Sequence, residues 1–457
     1  MDTIAAIATP IGSGAIGVVR ISGPMALDIA ARVFDHDPRE LPSNTARHGR
    51  LVAPDAQDEL DDAVITVFRA PASYTGEDVV EISCHGGLST VKAALQAVLD
   101  AGARLANPGE FTQRAFLAGK IDLAQAEAVN DLIRARTDDA RKVALRQLEG
   151  ELSARVAAIN SRVLGAIAAI EAAIDFPDDV AEPDFEWLQS EIAAARKDVD
   201  ALAASFGRGR IYREGLRVVI TGRVNVGKSS LLNALLRHAR AIVTPIPGTT
   251  RDLIEESLEI EGIPIVAIDT AGLRETDDPV ESIGVELTRR SIDSADVVCL
   301  VIDATEGLHD EDRALIEQMS GRPVVLVANK VDLAAPYSPS AAEGVGGRSF
   351  ESDLPTVLTS ALTGEGIEEL ECKIAGIAGA TGAGSEGALV SNVRHQQALK
   401  SASESLACAL ETLAAGAPID LLSGDLSAAR NALGLVTGET ATEDLLDRIF
   451  AEFCIGK

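Results

Sequence analysis

Eight consecutive residues, Gly222-Arg-Val-Asn-Val-Gly-Lys-Ser229, have the types and spacing of a phosphate cradle. In G-x-x-x-x-G-K-S the glycines let backbone N–H groups turn onto phosphate oxygens, and the helix that follows adds the positive end of its dipole. Lys228 reaches the β- and γ-phosphates and Ser229 supplies an oxygen to Mg²⁺; Asn225, Val226, Gly227 and Ser230 complete the loop. The motif lies between an apolar run, GLRVVIT, and a helix-forming run, SLLNALL, the setting that separates a nucleotide loop from an ordinary glycine turn. Asp269-Thr270-Ala271-Gly272 closes the run IVAID, where the Asp holds magnesium through water and Gly272 offers its N–H to the γ-phosphate. Thr249 and Thr250 fall between these motifs, where a switch segment gives a hydroxyl to Mg²⁺. Asn329-Lys330-Val331-Asp332 follows VVLVA. A carboxylate at Asp332 accepts the N1 and N2 hydrogens of guanine, which adenine lacks. Ser360-Ala361 after TVLT completes the base pocket. Four motifs in order, each at the end of an apolar run, specify GTP with Mg²⁺ as the ligand. Leu273 stands where Ras-type enzymes carry a water-orienting glutamine, and no arginine finger is placed by motif.

The elements around these motifs change character along the chain. Residues 215–380 alternate apolar runs with helical stretches, the α/β pattern. Residues 4–9, 17–22, 63–68 and 79–84 read as strands of an N-terminal α+β domain, with a helix after Gly86-Gly87. From about 120 the pattern is helical. Leu152, Val156, Ile159, Val163, Ile167, Ile170 and Ile174 form one apolar stripe, broken by DFPDDVAEPDF at 175–185. Residues 381–388 read as a linker, and Thr440 with Glu443 as a capping box before the last helix. The expected fold is multidomain. An N-terminal α+β domain (1–118) precedes a central helical domain (119–210 and 381–457), into which an α/β P-loop GTPase domain (211–380) is inserted; two separate helical pieces are the alternative.

Composition narrows the class. The 457 residues are 46% hydrophobic and 24% charged, as in globular proteins, with a formal net charge of −29. Binding to nucleic-acid backbone by overall charge is excluded, so RNA needs a local basic patch or a partner protein. Arg208, Arg210, Arg213 and Arg217 form such a patch, readable as a solvated face, a domain hinge or an RNA contact. Five scattered cysteines without a C-x-x-C pair fit a reducing, cytoplasmic setting. Cys84-His85-Gly86-Gly87 offers too few ligands for a metal and reads as a turn. No signal peptide and no membrane span are expected.

GRVNVGKSS, GTTRD, DTAGLRE and NKVD, joined by TGEDVVE, PGEFTQRAF, KIDLAQAEAV and a terminal CIGK, resemble the MnmE (TrmE) family of tRNA-modification GTPases over essentially the whole chain. The G motifs are shared with many GTPases, whereas PGEFTQRAF and CIGK are specific; Val224 replaces the family's usual proline. The resemblance implies that Glu281 orients the attacking water through a second water. It implies a potassium ion held by Asn225, Thr244, Ile246 and Thr249 in place of an arginine finger. It implies an N-terminal domain that dimerises and binds 5-formyl- or methylene-tetrahydrofolate through Arg20, Glu81, Lys120 and Lys457, with Cys454 near that site; Cys454, Glu281 and Lys228 are the candidate catalytic residues. The implied enzyme is a homodimer, heterotetrameric with the FAD-dependent partner MnmG (GidA), that installs a carboxymethylaminomethyl-type group on the tRNA wobble uridine. A ribosome-assembly GTPase of the Era or Der type, or a polymerising GTPase switch, is the alternative. The first lacks support because no basic G-x-x-G module follows residue 380.

Overall fold

A computed structural model describes residues 2–54, 58–181, 183–241, 255–269, 291–319, 321–334, 354–377, 379 and 387–457. The chain divides into two compact units. One comprises Met1–Ile133, Gln147–Arg196 and Ser401–Lys457; the other comprises Arg134–Arg146 and Lys197–Lys400.

The first unit opens with strands β1 (Ile4–Ile7) and β2 (Ile16–Ser22), helix α1 (Ala26–Val33), and strands β3 (Thr45–Val52), β4 (Glu59–Phe68) and β5 (Val79–His85). Helix α2 (Leu88–Asp100) and the short strand β6 (Arg104–Leu105) complete the sheet, in the order β3-β4-β5-β2-β1-β6. Alternation along β4 buries Ala63, Ile65 and Val67 beneath α1 and α2, as a half-buried antiparallel sheet requires. The strand β3, whose sequence TARHGRLV lacks an apolar run, escaped the sequence reading; antiparallel pairing to β4 holds it.

Helices α3 (Glu110–Leu117), α4 (Leu123–Arg134), α5 (Asp138–Leu148), α6 (Glu151–Asp175), α7 (Phe185–Ala204) and α8 (Phe206–Glu214) follow. The stripe on α6 buries Leu152, Val156, Ile159, Val163, Ile167 and Ile170 against a later helix, Ile419–Thr437. Helix α6 is long and apolar enough to cross a membrane by length and composition alone, a test that the core helix of a soluble protein also passes.

The PGEFTQRAF and TGEDVVE stretches are joined in this unit. Arg114 of PGEFTQR is buried and bonds Glu77 of TGEDVVE at 3.1 Å, Glu110 at 2.9 Å and Asp2 at 2.8 Å. Gly109 is left-handed, with φ +68°, and a Cβ there would lie 2.6 Å from the Phe450 carbonyl. Glycine therefore lets α3 pack directly on the last helix, where Phe116, Phe450 and Phe453 cluster with Leu123.

In the second unit β7 (Leu216–Gly222), α9 (Lys228–His238), β8 (Arg240–Ala241), β9 (Glu255–Ile260), β10 (Ile263–Asp269) and β11 (Val297–Asp303) lead to α10 (Asp310–Gln318), β12 (Val324–Asn329), β13 (Thr356–Leu358) and α11 (Ile367–Ile377). The sheet order is β13-β12-β11-β7-β10-β9-β8. Strands β10, β7, β11, β12 and β13 are parallel, and β11 and β12 are buried throughout. That dictates their unbroken apolar sequence. Strand β7 pairs with β10 on one side and β11 on the other, so strand order reverses beside it, and the crevice at its carboxyl end is where such sheets bind ligands.

Three helices end the chain: α12 (Val393–Ala414), α13 (Ile419–Thr437) and α14 (Glu443–Ala451). Thr442, not Thr440, caps α14, its hydroxyl accepting from the Leu445 N–H. The Thr440 hydroxyl instead donates to the Asn431 carbonyl, so the S/T-x-x-E spacing misplaced the cap by two residues.

Candidate functional site

The phosphate loop leaves β7 at the switch point. Gly222 has φ +145°, and a Cβ there would sit 2.2 Å from the Val301 carbonyl of β11, so only glycine admits the turn. Gly227, with φ +96°, begins α9 and would strike the Asn329 side chain if it carried a Cβ. Asn225 is left-handed at φ 64° and exposed, and Val226 is buried beneath it. Lys228 is buried at the first turn of α9; its ammonium donates to the carbonyls of Gly222 (3.1 Å) and Arg223 (2.7 Å). It is thus preset over the loop it serves. Ser229 and Ser230 are exposed on the same turn, beside the positive end of the helix.

The base-reading loops are stapled to this cradle by Asn329. Its Nδ2 donates to the Val226 carbonyl at 3.0 Å, and its Oδ1 accepts from the Ala361 N–H at 3.0 Å. Lys330 is left-handed and donates to the Asn225 carbonyl (2.6 Å) and to Asp303 (2.8 Å). Burial pushes the Asp303 carboxyl up, but hydrogen bonds from Lys330 and Thr305 hold it below the usual carboxylate range. Asp332 is exposed and accepts the Ser360 hydroxyl at 2.5 Å, which aims the carboxylate while leaving it room to accept more. The structure therefore brings together Asn225, Val226, Gly227, Lys228, Asn329, Lys330, Ser360 and Ala361, with Asp332 alongside. Asp269 closes β10, paired with Ile220 of β7. Thr244, Ile246, Thr249, Thr250, Thr270, Ala271, Gly272 and Glu281 lie outside the described residues.

One tie escaped the sequence reading. Arg223, inside the phosphate loop, bonds Glu306 at 3.1 Å and the fully buried Asp312 at 3.2 Å. The same Asp312 oxygen accepts from the His309 N–H at the start of α10. Because the Arg223 carbonyl also holds Lys228, its side chain links α10 to the lysine. Asp312 stands in an acidic run, DEDR, that reads as solvated surface.

A second cluster lies in the first unit. Arg20 and Glu81 are cross-strand partners on β2 and β5, 2.8 Å apart. The Arg20 guanidinium rests over the rings of Tyr74 and Phe111, 5.7 Å from each centroid, and donates to the Gly456 carbonyl at 3.3 Å. Gly456 has φ +97°, and a Cβ there would lie 2.3 Å from the Ile7 carbonyl, which explains the glycine in CIGK. Burial pushes the Lys457 ammonium down and Arg20 adds to it, while Glu81 and Cys454 pull it up; all four groups share one electrostatic neighbourhood. Cys454 is exposed, and its carbonyl accepts from Gly109 of the PGEF stretch at 3.4 Å. Lys120 donates instead to the Pro71 carbonyl, at the turn that carries Tyr74. Tyr74 stands in no motif, and Phe111, although inside PGEFTQRAF, had no role assigned; their place beside Arg20 marks both.

Cys84 and His85 end strand β5 rather than form a turn; Cys84 is buried and His85 pairs with Asp61 at 2.7 Å. Among the described residues no cluster of three metal-ligating side chains occurs. Of the basic stretch, Arg210 is paired with Asp296 and Glu214, and the backbone N–H of Arg217 donates to Asp296.

Comparison with known proteins covers the whole chain. The family model for the MnmE helical domain matches residues 123–454, and that for the GTP-binding protein TrmE N-terminus matches residues 3–120. The tRNA modification GTPase MnmE of Moorella thermoacetica is 48% identical over 100% of this chain and 99% of its own. The proteins of the same name from Chloroflexus aurantiacus and Bacillus subtilis are 49% and 45% identical, each over 100% of both chains. Among solved structures, the G domain of the T. maritima FeoB iron transporter is 28% identical over 36% of this chain and 98% of that chain, with a TM-score of 0.25.

Proposed function

Because the chain belongs to the MnmE family of tRNA modification GTPases, we propose that its GTP hydrolysis serves a one-carbon chemistry at the tRNA wobble uridine, held in the first unit. The enzyme binds GTP with Mg²⁺. Lys228 holds the β- and γ-phosphates, Ser229 and Thr250 bind magnesium, Gly272 meets the γ-phosphate, and Asp332 with Ser360 and Ala361 selects guanine. Glu281 orients water. Leu273 and the lack of a placed arginine leave the developing charge to a potassium ion, for which the exposed, left-handed Asn225 offers an amide oxygen beside the phosphates. Thr244, Ile246 and Thr249 complete its ring.

The observation that carries the one-carbon reading is the cluster of Arg20, Glu81, Tyr74, Phe111, Cys454 and Lys457. It joins flat aromatic faces, a carboxylate that hydrogen-bonds a pterin edge, and cations that pair with glutamate carboxylates. A tetrahydrofolate bound there supplies the carbon. Arg20 and Lys457 hold it, with Lys120 at the margin, and the Cys454 thiol acts on the modified base in this reading. In this reading the protein works in the cytoplasm as a homodimer with an FAD-dependent partner protein, MnmG, and the product is a 5-carboxymethylaminomethyl-type uridine. Isothermal titration of the full chain with 5-formyltetrahydrofolate tests it. Binding that weakens at least about tenfold in Arg20→Ala, the cost of one charged hydrogen-bonded partner, supports the reading; no binding, or equal binding, refutes it.

A further inference from the structure

Residues 303–312, the segment that leads from β11 into α10, carry no motif, yet they grip the phosphate loop at two places. Lys330 bridges Asp303 (2.8 Å) to the Asn225 carbonyl (2.6 Å), and the Thr305 hydroxyl donates to the other Asp303 oxygen at 2.6 Å. Arg223 makes the second tie from inside the loop. Its Nε donates to Asp312 at 3.2 Å and its Nη2 to Glu306 at 3.1 Å, a two-pronged reach that a single ammonium lacks.

Asp312 is fully buried, and its second oxygen has no hydrogen-bond partner among the described residues. Burying a carboxylate in this way costs desolvation that an apolar pair of the same volume would avoid, so stability is a poor reason for it. Position is a better one. The chain around Arg223 has little else to hold it: Val224 is 68% exposed and, unlike a proline, leaves its φ free, and Asn225 is exposed and left-handed. The Arg223 carbonyl nevertheless has to stay where it accepts from the Lys228 ammonium, at 2.7 Å. The far half of the loop is held separately, by Asn329 on the Val226 carbonyl.

We infer that Arg223 is a positioning residue for GTP hydrolysis: clamped to Asp312 and Glu306, it fixes the carbonyl that sets the Lys228 ammonium against the phosphates. The inference rests on the phosphate role of Lys228 proposed above. A misplacement of about 1 Å at such a group costs roughly a hundredfold in rate. The Asn329 staple and the base-reading loops do not pass through Arg223, so loss of the clamp lowers kcat and spares GDP binding.

Steady-state GTP hydrolysis and fluorescent-GDP titration of the full chain test this in wild type, Lys228→Ala, Arg223→Met and Arg223→Met/Asp312→Asn. The double variant removes the buried charge that Arg223→Met leaves unpaired, and the asparagine oxygen still accepts the His309 N–H, so it decides the matter where the single variant fails to fold. In both Arg223 variants kcat should fall at least about tenfold, with GDP affinity within about threefold of wild type. A double variant with wild-type kcat would mean that Arg223 serves only to neutralise Asp312, and overturns the inference. A loss of GDP affinity in the double variant that parallels its loss of kcat also overturns it, since the arginine then supports the whole loop rather than the lysine. Lys228→Ala that hydrolyses GTP like wild type removes the phosphate role of Lys228 and the inference with it. A slowed Lys228→Ala beside an unimpaired Arg223→Met overturns the inference alone.

Discussion

Asp332 shows how one side chain can be aimed by its neighbours. The Ser360 hydroxyl fixes one oxygen of the exposed carboxylate, beside the loops that Asn329 ties together. Asp332→Asn replaces an acceptor pair with a mixed amide. GTP affinity should fall by roughly 1.5–3 kcal/mol, the worth of a charged hydrogen bond, and the preference for guanine should relax. Fluorescent-nucleotide titration measures both, and unchanged affinity would remove Asp332 from the base pocket. At this scale the nucleotide site was legible in the sequence because its parts are contiguous: GRVNVGKS and NKVD each occupy one loop. Arg223 with Asp312 and Arg114 with Glu77 were not legible, because the partners are separated by 89 and 37 residues and look like surface charges until the fold joins them.

Helix α3 shows the same dependence between elements. It is fixed by a charged network in which Arg114 is shared by Glu77, Glu110 and Asp2. Removing the shared cation leaves buried carboxylates poorly compensated, so Arg114→Met should destabilise the first unit by about 3 kcal/mol. Urea unfolding followed by Trp187 fluorescence reads that unit; an unchanged midpoint would contradict the network's role. The same network predicts acid sensitivity. The hydrogen bond from Arg104 draws the Asp2 carboxyl down from 3.8 to about 2, against some burial. Burial raises Glu110, but Arg104, the Asn107 N–H and Arg114 outweigh it and hold it below 4.5. Depressed carboxylates stabilise fully above their unfolded values and lose that contribution as protons bind. The wild-type midpoint should therefore fall between about pH 4.5 and pH 2, and the Arg114→Met variant should lose less over that window. The apolar period found α6, and the unbroken runs found β7, β11 and β12. It missed β3 and the Thr442 cap, which depend on a partner strand and on a hydroxyl already engaged elsewhere.

At the scale of the whole molecule the chain is strongly acidic, net charge −29, and carries the nucleotide loops in one unit and the Arg20 cluster in the other. Potassium dependence tests how the G domain manages without a glutamine or a finger arginine. A ring of neutral oxygens discriminates cations by size, so GTP hydrolysis should be faster in potassium chloride than in sodium chloride at equal ionic strength, which holds screening constant. Asn225→Ala should abolish the difference and leave the slow basal rate. Equal wild-type rates in the two salts would send attention to Arg251 and Arg274, both outside the described residues.

The proposed dependence of tRNA modification on GTP hydrolysis is tested most directly by nucleoside analysis of bulk tRNA from cells lacking this chain and complemented with wild type or with Lys228→Ala. Lys228 donates to the nucleotide loop, far along the chain from the Arg20 cluster. The carboxymethylaminomethyl-type wobble uridine should vanish on deletion, return with wild type and stay absent with Lys228→Ala expressed at equal level. Full modification in the deletion strain, or restoration by Lys228→Ala, would contradict a tRNA modification driven by GTP hydrolysis.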